Sequence, residues 1–204
     1  MSALTAIQSV GLGGLDSVSG QEDVLDINAC LNGNQEAYAR LVQRYERLIA
    51  NQMWRFTRDQ TILEELVQEV FVEAYTSLPG FKGKSPFLHW LRRIATRVGY
   101  RFWKNKARAK ERQEQFNQNP TEVTPDYNVA TPSEAGEFVA GLLDELPPGE
   151  RMVLTLLYFE EWSTQEIADH MGWTRSLVKV RAFRARKKLK TMLEGAGYGQ
   201  SSSI

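Results

Sequence analysis

Cysteine and histidine are scarce: Cys30 stands alone, with His89 and His170, in 204 residues. One thiol excludes an internal disulfide, and so few soft ligands, so far apart, exclude a zinc cluster of ordinary spacing. Cys30 is therefore expected to act as a small buried apolar residue and not as a redox sensor. No apolar run approaches the roughly 20 residues that a spanning helix requires. The segment from Met1 to Gln21 has no basic residue ahead of an apolar stretch, as a signal peptide would. A cytoplasmic protein is expected. Alternating strand patterns and internal repeats are also lacking, which leaves an all-α fold class.

Excess charge of either sign is missing too, with 25 Lys and Arg against 25 Asp and Glu. A neutral total argues at first against a nucleic-acid partner, because phosphate binding draws on cations. The distribution reverses that impression. Basic residues crowd into Arg92 to Arg112 and Arg175 to Lys190, Glu64, Glu65, Glu69 and Glu73 form an acidic block, and Gln113 to Phe138 holds no Lys or Arg. Segregation of this kind implies separate surfaces for separate partners.

Along the chain, residues 1–21 are rich in Gly and Ser without helical period and are expected to be a mobile tail. Residues 22–112 show apolar positions at helical spacing, as in Leu63, Leu66, Val67, Val70, Phe71 and Ala74, broken at Thr57 to Asp59 and from Leu78-Pro79-Gly80 to Ser85-Pro86. This is a helical bundle whose last helix is expected from Phe87 to Arg112. Residues 113–137 contain Pro120, Pro125 and Pro132 with little to bury, and read as a flexible linker. A second small helical domain spans 138–194, and 195–204 is a Gly- and Ser-rich tail.

In that second domain Ser163-Thr164-Gln165-Glu166 has the form of a reciprocal cap at a helix start. Gly172 is expected to stop the helix and Thr174 to cap the next, giving a helix-turn-helix. With Leu177, Val178, Ala185 and Leu189 assigned inward, Arg175, Lys179, Arg181, Phe183, Arg184, Arg186 and Lys190 face outward. Eight basic residues and no acid lie between Arg175 and Lys190. A merely solvated face usually mixes signs, since like charges one turn apart repel, so this face suits DNA. Phe183 reads either as core or as an aromatic pressing on a thymine methyl or a sugar.

Leu146-Pro147-Pro148-Gly149-Glu150-Arg151, Leu156 to Glu160, Glu166-Ile167-Ala168 and Val178 to Arg186 closely resemble region 4 of the extracytoplasmic-function (ECF) sigma factors. Glu65 to Phe71, Phe81-Lys82-Gly83-Lys84 and Phe87 to Ala95 resemble region 2 of the same family, in the same order. The resemblance implies a factor that binds core RNA polymerase through Glu65, Gln68, Glu69 and Glu73. It implies minus-ten recognition, on melted as well as double-stranded promoter DNA, by Lys82, Lys84, Ser85, Arg93, Arg97, Tyr100, Arg101 and Lys104. Minus-thirty-five recognition falls to Arg175, Ser176, Lys179, Phe183, Arg184 and Arg186, with Arg181 on the backbone. It also implies an anti-sigma factor as a partner.

Aromatics interleaved with cations between Phe81 and Lys104 are the chemistry that holds unpaired bases. Phe87, Trp90 and Leu91 are expected mainly in the core, whereas Tyr100, Phe102 and Trp103 are expected to include exposed members. Two sets of departures stand out. The family usually has Thr and Ser where this chain has Leu177 and Val180, so an altered preferred sequence is expected there; it commonly has Asn and Asp where this chain has Arg97 and Arg101, a change expected to strengthen phosphate attraction and to leave the base preference open. No nucleophile, His cluster or phosphate loop accompanies the paired carboxylates, so neither catalysis nor a cofactor is expected. A repressor or activator whose first domain binds a ligand or dimerises, or a module that sequesters a regulator, remains compatible with the residues alone.

Overall fold

In a computed structural model of the protein the backbone is described for residues 12–116 and 134–195, and the side chains for 20–114 and 138–195. These residues form α-helices and one 3₁₀ turn, with no strand among them. None of the described helices is long and apolar enough to cross a membrane.

Local sequence sets the helix limits. Helix α1 (Leu12–Leu31) runs out before Gly33, whose φ of +91° suits a residue without a side chain. The Asn34 side chain then accepts from the amides of Glu36 and Ala37 and opens α2 (Gln35–Met53). Every fourth residue of α2, from Ala37 through Leu41, Tyr45 and Ile49 to Met53, is buried. Asp59 caps α3 (Gln60–Ser77) through the Ile62 amide, and Leu63, Leu66, Val67, Val70, Phe71 and Ala74 form its inner face. Pro79, in the 3₁₀ turn Leu78–Gly80, prevents α3 from continuing. Helix α4 (Phe87–Phe116) buries Phe87, Leu91, Ile94, Ala95 and Val98, and the Gln52 amide of α2 donates to Arg92 O and Thr96 Oγ1, each at 3.2 Å.

The contacts divide the chain into two compact units between Val98 and Gly99, inside α4, and not near Arg112 where the composition changes. The reason is aromatic. Trp103 is 4% exposed with the Arg151 guanidinium 4.0 Å above its ring, and Tyr100 meets Trp173 edge-on at 5.6 Å. Of Tyr100, Phe102 and Trp103, a set expected to include exposed members, Trp103 is thus buried in the second unit and the other two are half-buried. That unit also holds α5 (Glu134–Asp144), α6 (Pro148–Tyr158), α7 (Thr164–Met171) and α8 (Arg175–Gly195). Pro147 and Pro148 open α6, where a missing amide hydrogen costs nothing. Met152, Val153, Leu154, Leu156, Ile167 and Val178 are buried within it.

Three limits differ from the sequence reading. Helix α1 starts at Leu12, inside the segment expected as a tail, because a docked helix extends by one hydrogen bond per residue without a new nucleus. Helix α4 continues to Phe116 for the same reason, no proline intervening before Pro120. Helix α5 starts at Glu134, four residues before the expected domain edge. The rest of the linker, 117–133, and the terminal segments 1–11 and 196–204 lie outside the described residues.

Helix α1 is fastened to α2 by charge more than by an apolar stripe. Asp26 pairs with Arg40 at 2.7 Å and with Arg44 at 2.9 Å, while Asp23 accepts from Arg44 and from the Tyr45 hydroxyl. Both aspartates are buried, at 4% and 6% exposure. Burial works to raise the Asp26 carboxyl, but hydrogen bonds from Arg40 and Arg44 overcome it and hold the group below its ordinary 3.8. Burial pushes the Cys30 thiol up, which disfavours the reactive thiolate.

Replacing Asp26 by Asn should destabilise the fold by about 2 kcal/mol at neutral pH, since two guanidinium partners lose their charge. A depressed carboxyl contributes fully above the unfolded value of 3.8 and loses its contribution as pH falls through the folded value. Urea unfolding followed by circular dichroism should therefore show a shallower acid loss for Asp26→Asn than for the parent. Parallel acid curves would contradict the assignment.

Candidate nucleic-acid interface

The helix-turn-helix is built from three local devices. Ser163 Oγ accepts from the Glu166 amide at 3.2 Å while Glu166 Oε2 accepts from the Ser163 amide at 2.7 Å, the reciprocal cap that starts α7. Gly172, at φ +66°, ends it in the left-handed region. Thr174 Oγ1 accepts from the Leu177 amide at 3.2 Å and opens α8. Ile167 and Ala168 form the buried face of α7; Val178, Ala182 and Ala185 form that of α8. Short side chains on both helices let their backbones approach closely.

Such a narrow inner face leaves most of α8 exposed. Arg175, Ser176, Lys179, Phe183, Arg184 and Arg186 are all on the outside, as are Lys187 and Lys190. Phe183 is 66% exposed, which removes it from the core. Two residues sit elsewhere than expected. Leu177, assigned inward, is 37% exposed, because Val178 already fills the inner position of that turn. Arg181, assigned to the outer face, is half-buried: its guanidinium lies 4.0 Å over the Trp173 ring and against Gly149. A Cβ at position 149 would come within 3.0 Å of Arg181 Cζ. Not all the helix cations project outward without acidic neighbours, since Lys188 pairs with Glu150 at 3.2 Å.

In the first unit Lys82, Lys84 and Ser85 are exposed in the turn before α4, with Gly83 at φ +63°. Phe81, Phe87 and Trp90 form a cluster with ring centroids 5.1 to 5.7 Å apart beneath that turn. On α4, Arg93, Arg97 and Arg101 recur every fourth residue and are exposed. Tyr100 and Lys104 are half-buried in the second unit, Tyr100 against Trp173 and the Lys104 ammonium 5.7 Å from the Tyr100 ring.

The acidic set lies on α3. Glu65, Gln68 and Glu69 are exposed along one stripe. Glu73 is only partly exposed and its carboxylate lies 3.8 Å from Arg97, so the acidic and basic sets touch at this point instead of forming wholly separate surfaces. Two residues of the stripe went unnoticed in the sequence: Val72, 57% exposed, and Tyr75, 47% exposed and edge-on to Tyr38 at 4.8 Å. Helical spacing from Glu65 and Gln68 reaches both of them, but apolar residues among the buried positions of α3 mask the pattern.

Comparison with known proteins agrees with this geometry. Residues 41–109 match the family described as Sigma-70 region 2, and residues 139–189 match Sigma-70, region 4; together they take in more than half of the chain. The ECF RNA polymerase sigma-E factor of Haemophilus influenzae is 29% identical over 175 residues, which cover 79% of this chain and 90% of that protein. The solved structure of CnrH in complex with the cytosolic domain of CnrY is 26% identical with a TM-score of 0.54, covering 85% of this chain and 98% of that one. The sigma factor RpoE of Bartonella quintana, solved with the anti-sigma factor NepR, shares the fold at 18% identity and a TM-score of 0.53, over 77% of this chain and 96% of that one. With both regions matched in order, one over the bundle and one over the capped helix-turn-helix, the chain belongs to the sigma-70 family, in its extracytoplasmic-function group.

Proposed function

We propose that this protein joins core RNA polymerase in the cytoplasm and directs it to specific promoters, as a recognition subunit and not a catalyst. The observation that carries the reading is the outer face of α8, where cations and no acid occur from Arg175 to Lys190 on the second helix of a capped helix-turn-helix. A run of like charges is unfavourable in water and becomes favourable against phosphates, with release of their counterions. In this reading α8 enters the major groove of the minus-thirty-five element. Arg175, Ser176, Lys179, Phe183, Arg184 and Arg186 face the DNA, while Arg181 acts by holding Trp173 and the turn.

Lys82, Lys84 and Ser85 with the α4 stripe of Arg93, Arg97 and Arg101 receive the minus-ten element. The aromatic cluster supports the turn against the cost of opening the duplex, a few kcal/mol per base. Tyr100 and Lys104 belong to the same set, Tyr100 taking part only after leaving the Trp173 ring. Glu65, Gln68 and Glu69, extended by Val72, form the face for the polymerase, with Glu73 positioning Arg97. An anti-sigma factor belongs to the proposal as a regulator; family membership supports it, as does the likeness to CnrH, which was solved with a domain of a second protein.

Run-off transcription with purified core polymerase on a promoter library tests the whole reading, and its failure to yield any promoter-specific RNA overturns it. Lys179→Ala and Arg184→Ala should each weaken binding to the upstream element about tenfold, roughly 1.4 kcal/mol. Their thermal stability should stay within about 0.5 kcal/mol of the parent. Arg181→Ala, by contrast, should lower stability by about 1 kcal/mol through loss of the stacked guanidinium and its stem. Glu69→Lys should reduce association with core polymerase measured by titration, leaving the stability of the helix-turn-helix unit unchanged; equal loss of core affinity in Lys179→Ala would contradict the division of surfaces.

A further inference from the structure

Among the cations of α8 lies an apolar strip. Leu177, Val180 and Phe183 are 37%, 43% and 66% exposed. They follow at intervals of three, so each lies just under one turn beyond the last, and together they run obliquely along the outer face. Ser176, Lys179 and Arg184 flank the strip and are exposed as well. Six residues of helix advance about 9 Å, the length of two to three stacked base pairs.

Leu and Val have no donor or acceptor, so they cannot pair with the polar edges of guanine, cytosine or adenine. Pressing them there strands groups that water had satisfied. The major groove offers one apolar group of matching size, the C5-methyl of thymine. An apolar protein surface fits the strip by shape alone, but not the surrounding charge, which is wholly basic from Arg175 to Lys190. We infer that Leu177, Val180 and Phe183 read the methyl groups of two or three neighbouring thymines in the upstream element. The flanking Lys179 and Arg184 set register on phosphates and purine edges. This inference rests on the promoter-binding reading and names the base feature recognised.

The test uses the full chain with core polymerase on a promoter recovered from the transcription library. Each thymine of the upstream element is replaced in turn by deoxyuridine, which keeps every hydrogen-bonding edge and removes only the methyl. Binding should fall about three- to fourfold at each of two or three adjacent positions, the effect of one methyl-sized group leaving an apolar contact. Leu177→Ser and Val180→Ser, at exposed positions that leave the core intact, should bind thymine and uracil templates alike at the position each residue covers. Indifference of the parent protein to uracil overturns the inference, as does equal sensitivity in the serine variants. Failure to bind the thymine promoter at all is a different result, which overturns the promoter-binding reading itself.

Discussion

Close packing of α8 through Val178, Ala182 and Ala185, none more than 2% exposed, is the constraint on which the interface depends. Two of the three are alanines, so the helix lies with its backbone near its supports and commits few positions to the core. Most of the remaining residues face outward, with Arg181, Leu189 and Met192 half-buried. A bulkier inner face would rotate or lift the helix and change which side chains it presents outward. The caps at Ser163 and Thr174 and the left-handed Gly172 fix where that helix begins, so orientation and starting point are both set by short-range chemistry.

Charge is arranged at a second level. Arg93, Arg97 and Arg101 on α4, and the cations of α8, sit one turn from like neighbours, a pattern that weakens an isolated helix. Buried aliphatic and aromatic contacts on the opposite sides of these helices offset that repulsion. The Glu73 carboxylate near Arg97 relieves part of it on α4. Glu73, first taken for a docking group, thus also lies beside a cation of the basic helix.

Much of this was legible in the residues. The all-α class, the capped helix-turn-helix, the stop at Gly172 and the buried set of α3 all follow from spacing and capping chemistry. What was not legible depended on contacts between distant segments. Trp103 looked like one more aromatic in a basic helix until Arg151 supplied its partner, and Arg181 looked outward until Trp173 and Gly149 defined a slot for it. Leu177 was misplaced because hydrophobicity was taken as burial, although Val178 next to it occupies the only inner position available in that turn. The exposed stripe of α3 was read by charge, which overlooks Val72 and Tyr75.

Gly149 and Arg181 form a steric pair with a consequence for substitution. The guanidinium occupies the space where any side chain at 149 would begin, since even a methyl carbon there meets Arg181 Cζ at 3.0 Å. A methyl group at 149 therefore asks the flexible tip of Arg181 to give by a few tenths of an ångström, so the tolerance of this glycine is set by how freely the guanidinium slides over the Trp173 ring.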